Sequence, residues 1–128
     1  MAFAKANGAV QTSVNAVSNK ADTNSQRVDF FSQFGWNVAN EPCEIVEVLI
    51  PDEFNAVYEK YNAIQKEAGF DLSKYKGKRV KRYTYTVTNY EGYPDEVIAN
   101  LLVYNKKAIG GDICSVRLDG FMHSFIKK

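Results

Sequence analysis

From Arg79 to Val116 the chain holds largely to a two-residue period, and no other stretch restricts the possible folds as much. "RVKRYTYTVTNY" alternates Tyr83, Tyr85 and Val87 against Thr84, Thr86 and Thr88, which predicts a strand with one packed and one wet face. "EGYPD", Glu91 to Asp95, supplies a turn, and "EVIANLLVY" follows as a more fully apolar strand. A tight turn at "NKK", the strand "AIGGDICSVRL", a turn at Asp119 and Gly120, and a last short strand "FMHSFI" complete the run. Strands joined by connections this short pair with their sequence neighbours, so the expected sheet is an antiparallel meander.

A meander must bury its apolar face against another layer. "DEFNAVYEKYNAIQKEAGF" predicts a long helix capped by Asp52 and closed by Gly69, with Phe54, Val57, Tyr58, Tyr61, Ile64 and Ala68 in one apolar stripe. Ahead of it, "CEIVEVLI" reads as a strand with Val46, Val48 and Ile50 on one face, ended by Pro51. "NSQRVDFFSQFGW" reads as a short helix capped by Asn24 or Ser25, with Val28, Phe31 and Phe34 on one side. Gly35 ends it, and Trp36 turns back into the core.

The expected fold is therefore α+β: an antiparallel meander of four to five strands, a long helix packed across one face and a short N-terminal helix, with a cystatin-like or NTF2-like arrangement open. Tyr58 and Tyr61 on the helix are expected to meet Tyr83 and Tyr85 on the sheet. Any pocket is expected at the open end of the concave sheet beneath the helix.

A chain of 128 residues, 45% hydrophobic, fits one domain able to bury a core without staples. Residues 1–24 are small or polar apart from one aromatic and predict a flexible arm or tether, although Val10, Val14, Val17 and Ala21 fall at helical spacing. Residues 25–128 form the predicted domain.

A formal charge of +1 gives no reason to expect nucleic acid. The one basic run, "KYKGKRVKR" from Lys74 to Arg82, reads as the solvated face of a strand, with an anionic membrane surface as the alternative. No apolar run approaches the roughly twenty residues of a membrane-crossing helix, and no signal peptide is apparent, so the chain as given is expected to be soluble.

Reactive side chains crowd into "IGGDICSVRLDGFMHSF", Ile109 to Phe125. Gly110 and Gly111 predict a bulge or a close crossing; a phosphate loop would need a helix N-terminus behind it. Asp112, Cys114 and His123 are the candidate catalytic residues, with Cys114 as thiol nucleophile and His123 as its base. If the Asp-Gly turn sets the register, Leu118 opposes Phe121, Ser115 opposes Ser124 and Val116 opposes His123. Cys114 is then a diagonal, same-face neighbour of His123 at roughly 7–8 Å.

Cys43 and Cys114 read as two small buried side chains or as one disulfide. One histidine with two distant cysteines predicts no metal site, and no cofactor motif is present.

The segments "GW" at Gly35 and Trp36, "IP" with the following "EF", "GFDLSKYKGK", "YTVTNY", "ANLLVY", "GGDICS" and "DGFMH" occur in order over about residues 25–126. In these the chain resembles domain-of-unknown-function family 4830, uncharacterised bacterial proteins found mainly among Firmicutes. The resemblance supplies no activity. It implies a protein of the cell exterior held to the membrane by an N-terminal segment, with Met1 standing where an anchor was removed and residues 4–24 as tether.

The function expected is thus a non-enzymatic, extracytoplasmic binding or interaction domain for a peptide, a cell-envelope component or a partner protein. The alternatives are a small thiol-dependent hydrolase using Cys114 and His123, and a structural or assembly module.

Overall fold

The computed structural model describes residues 17–117 and 119–127. The expected arm thus lies outside the described residues up to position 16; from there Lys20 forms a bridge with Lys107, and Ala21 is fully buried.

The elements are α1 (Asn24–Ser32), β1 (Glu44–Leu49), α2 (Ala56–Glu67), a single turn of 3-10 helix (Leu72–Tyr75), β2 (Arg79–Thr86), β3 (Val97–Tyr104), β4 (Lys107–Ser115) and β5 (Met122–His123). The strands form one antiparallel sheet in the order β1-β2-β3-β4-β5, the expected meander. Asn105 and Lys106 both take positive φ, 52° and 69°, the conformation a two-residue hairpin turn demands. β1 is an edge strand bracketed by Pro42 and Pro51, with Ile45 and Leu49 exposed on it.

Thr23, one residue ahead of the nearer expected cap, Asn24, caps α1. Thr23 accepts from the Gln26 amide while the Gln26 side chain accepts from the Thr23 amide, a reciprocal cap. Phe30 and Phe31 point inward, and Arg27 is buried with them, its Nε donating to the Tyr85 hydroxyl at 3.1 Å. Asn55, not Asp52, caps α2. The expected α2 stripe is corrected as well: Val57 is 75% exposed, whereas Asn62 and Gln65 are buried. Asn62 is needed there to accept from the Leu72 amide (2.7 Å) and to donate to Asp71 (2.9 Å).

The two helices contact opposite faces of the sheet. Phe30, Phe31, Trp36 and Phe125 pack with Tyr85, Ala99, Leu101 and Ile113 on one side. On the other, Leu72, Tyr58 and Tyr61 pack around Ile50, Val80, Leu102 and Ile109. The expected meeting of Tyr58 and Tyr61 with Tyr83 and Tyr85 therefore does not occur: the two tyrosine pairs belong to different layers. The threonine face is wet only toward its end: Thr84 is buried on the α2 side, Thr86 is half-buried and Thr88 is exposed.

The glycine expectation holds in both its forms. Ile109 is the extra residue of a bulge, with Leu102 opposite Gly110 and Val103 opposite Ala108. A Cβ at Gly111 would collide with the Asn100 carbonyl oxygen and the Phe125 ring. The Gly111 amide donates to Gln65 of α2 at 2.7 Å.

Candidate functional site

The register at the end of the sheet decides what Asp112, Cys114 and His123 can do. Ile113 stands opposite His123, and Cys114 stands opposite Met122. This differs from the expected register by three residues, because residues 116–121 form the connection in place of a two-residue Asp-Gly turn. An odd shift moves a side chain to the other face. Cys114 consequently shares the α2 face with Asp112, while His123 shares the α1 face with Ile113, and the diagonal pair does not form.

Asp112 anchors a polar row running across the sheet. Thr84, Asn100 and Asp112 are successive cross-strand partners. The Thr84 hydroxyl donates to Asn100 Oδ1 at 2.6 Å, and Asn100 Nδ2 donates to Asp112 Oδ1 at 3.1 Å. The Tyr61 hydroxyl closes the row from above, donating to Asp112 Oδ2 at 2.7 Å.

Burial pushes the Asp112 carboxyl up, with the hydrogen bonds from Tyr61 and Asn100 opposing that rise. Burial and the neighbouring Asp112 carboxylate push Tyr61 well above 10, so it remains a proton donor. On the same face, Arg82 pairs with Glu44 at 2.9 Å and leaves its buried Nε without a partner.

Cys114 sits beside this row, and burial followed by the charge of Asp112 pushes its thiol up. A nucleophilic cysteine requires the opposite, a neighbourhood that favours the thiolate. Its Sγ donates to the Ser115 carbonyl at 3.2 Å. Cys43 and Cys114 are both free thiols, and Cys43 is exposed, contrary to the expectation that both are buried.

His123 belongs to an aromatic cleft on the α1 side. Gly35, at φ 89°, ends α1 and redirects the chain so that Trp36 packs inward, where its Nε1 donates to the Phe125 carbonyl at 2.7 Å. Asn89 ties the loop after β2 to this corner: its Oδ1 accepts from the Asn37 amide (2.9 Å) and its Nδ2 donates to the Gly35 carbonyl (3.0 Å). Tyr90 thereby stacks on Trp36, with ring centroids 5.2 Å apart and planes within 3° of parallel.

His123 Nδ1 lies 2.7 Å from the Ser124 carbonyl, which can only accept, so Nδ1 carries a proton. In the neutral ring Nε2 then accepts from the Tyr90 hydroxyl at 2.8 Å. Phe121 stacks on His123 (5.5 Å, 15°), and Lys127 Nζ sits 4.9 Å from the Trp36 ring centroid while donating to the Gly35 carbonyl at 3.1 Å. Trp36, Asn89, Tyr90, Glu91, His123 and Lys127 line a cleft of about 570 Å³. That volume falls within the range of small-ligand sites.

This cleft offers aromatic rings, a histidine locked between two hydrogen bonds, one cation and one carboxylate. Burial pushes the Tyr90 hydroxyl up, so it acts as a hydrogen-bond donor and not as an anion. The arrangement suits recognition of a ligand that is part ring or apolar and part polar. The cleft lies on the α1 side; along the long helix, where a pocket was expected, Tyr58, Tyr61 and Ile64 with Met122 of β5 line a smaller one of about 370 Å³. Asn89 and Tyr90 close the "YTVTNY" segment and Trp36 the "GW" segment, but neither segment nor Lys127 spells out a chemistry; only the aromatic density around "GW" and "NYEGY" signals the site.

Among the described residues no group of three or more His, Cys, Asp or Glu side chains could hold a metal ion, and no helix is long and apolar enough to cross a membrane. The sequence profile of a domain of unknown function, DUF4830, matches residues 30–113, and the chain belongs to that family. The match takes in Trp36, Tyr90 and Asp112 and stops ahead of His123. No curated protein and no solved structure matches the chain.

Proposed function

We propose that this member of the DUF4830 family is a non-enzymatic binding domain working outside the cytoplasm, and that its ligand, a peptide or a cell-envelope component, enters the cleft at Trp36, Tyr90 and His123. The observation that carries the reading is the parallel Trp36–Tyr90 stack beside an imidazole whose two nitrogens are both engaged. Tyr90 and His123 are half-buried and offer ring surface to a flat or apolar group, Trp36, itself buried, backs them, and the polar rim of Asn89, Glu91 and Lys127 orients the ligand.

Two further points weigh against the thiol hydrolase: Cys114 and His123 are on opposite faces, and burial with the Asp112 charge pushes the Cys114 thiol up. The extracytoplasmic part rests on what the family resemblance implies, with the residues ahead of Val17 as the tether, since Lys20 to Asn24 are built into the domain.

Trp36 is the only tryptophan of the chain, so its fluorescence reports on this cleft alone. Titration with envelope glycan fragments and with peptide pools is expected to shift Trp36 emission saturably, and Tyr90→Ala is expected to abolish the response. Turnover of a substrate that stops in Cys114→Ser or His123→Ala would overturn the proposal in favour of the thiol hydrolase.

A further inference from the structure

The fold gathers lysines from three separate parts of the sequence at one end of the sheet. β2 begins there with Arg79 and Lys81, following Lys74, Lys76 and Lys78 in the segment that leads into it. The β3–β4 turn contributes Lys106 and Lys107, since Tyr104 pairs with Lys107 and Val103 pairs with both Lys81 and Ala108. Lys20 joins them by its bridge to Lys107, fixed by the Ala21 amide on the Lys106 carbonyl (3.0 Å) and the Ala108 amide on the Asn19 carbonyl (2.8 Å).

All eight cations are exposed. Among the described residues no ion pair engages Lys20, Arg79, Lys81, Lys106 or Lys107. The acidic groups nearby are Asp22 and Glu47, which line a cleft of about 370 Å³ together with Arg79, Lys81 and Lys106, and Asp52, close to Gly77.

We propose that this basic end is a docking surface for an anionic lipid bilayer. Asp22 and Glu47 sit inside the cleft, so a compact anion seated there would meet two carboxylates. A flat anionic surface instead meets the outward-pointing ammonium groups, whose attraction to it adds up lysine by lysine. Tyr83 and Tyr104 line the same cleft, and tyrosine side chains favour the headgroup level of a bilayer. Asn19 to Ala21 pair with the β3–β4 turn at this end, and from there the chain runs back toward the C-terminal end of α1, where Ser18 exchanges two hydrogen bonds with the Gln33 side chain. Docking would leave the Trp36 cleft, built at the other ends of these strands, directed away from the lipid.

The test is flotation of the full chain with vesicles of phosphatidylglycerol and phosphatidylcholine in equal parts, against vesicles of phosphatidylcholine alone. Binding is expected only to the anionic vesicles, and it is expected to vanish at high salt, where the screening length falls to about 3 Å. Replacing Lys81, Lys106 and Lys107 together by Gln should weaken binding roughly a hundredfold, or about fivefold per lysine. Lys60→Gln with Lys66→Gln on α2 should leave it unchanged. Equal binding to both vesicles, equal losses in the two variants, or binding to soluble polyphosphate or DNA without binding to vesicles would each overturn the proposal.

Discussion

The Tyr61 hydroxyl lies 2.7 Å from Asp112 Oδ2 and, beside the Gly111 amide on Gln65, makes one of the two hydrogen bonds that join α2 to β4 among the described residues. Tyr61→Phe leaves the carboxylate oxygen without that donor and should cost about 1–3 kcal/mol in urea unfolding near neutral pH. Because the folded-state value of Asp112 is raised above its ordinary 3.8, its stabilising contribution is full below that value and is lost as pH rises through the folded value. The stability of Asp112→Asn relative to wild type should therefore improve as pH climbs through the carboxylate range. A difference that stays flat with pH would show that Asp112 is not desolvated as described.

Asp71 should show the opposite sign. Its Oδ1 accepts from Asn62 Nδ2 (2.9 Å), the Ser73 hydroxyl (2.6 Å) and the Ser73 amide (3.0 Å), and these bonds, Asn62 first, hold the carboxyl well below its usual range. A depressed carboxyl contributes stability above its ordinary value, and that contribution is lost as pH falls toward the folded value. Unfolding curves of Asp71→Asn and wild type should thus converge on acidification. Divergence at low pH would contradict the bonding described.

Adjacent glycines in β4 should respond unequally to alanine. At Gly111 the new methyl group meets the Asn100 backbone carbonyl and the Phe125 ring, neither of which has room to yield, and Gly111→Ala should cost about 3 kcal/mol or fail to fold. At Gly110 the nearest atom is the tip of the Gln65 side chain, so Gly110→Ala should cost about 1 kcal/mol. Thermal melts of the two variants make the comparison, and equal losses would be inconsistent with this packing.

The two thiols should separate in an alkylation time course. Exposed Cys43 is expected to react promptly with iodoacetamide near neutral pH, while Cys114, partly buried beside Asp112, reacts slowly until urea unfolds the chain. His123→Ala should leave the Cys114 rate unchanged, since the imidazole is on the other face. A rate that drops in His123→Ala would place the two groups in contact.

The meander of β2 to β5 was legible in the sequence because period two and turn residues are local signals and the connections are short; the place of β1, which α2 separates from β2, was not. Which helix meets which face was not legible. Periodicity groups Tyr83 with Tyr85 and Tyr58 with Tyr61, but it carries no information about whether two groups oppose each other. Buried Asn62, Gln65 and Thr84 look like surface residues in a sequence, because their partners are a backbone amide or another polar side chain far along the chain. The Asp112–Cys114–His123 grouping failed for a related reason: Asp119 and Gly120 signal a turn but do not fix the length of the connection, and the face of His123 depends on that length.

β3 lies between the two hydrophobic layers, with Ala99, Leu101 and Val103 packed on the α1 side and Leu102 on the α2 side. A wall shared by two rooms cannot be removed from one of them alone. Peeling β3 away would empty both layers together, so its central amides should be the slowest in the chain to exchange with solvent, and heat should melt the domain in a single step despite its two separate cores.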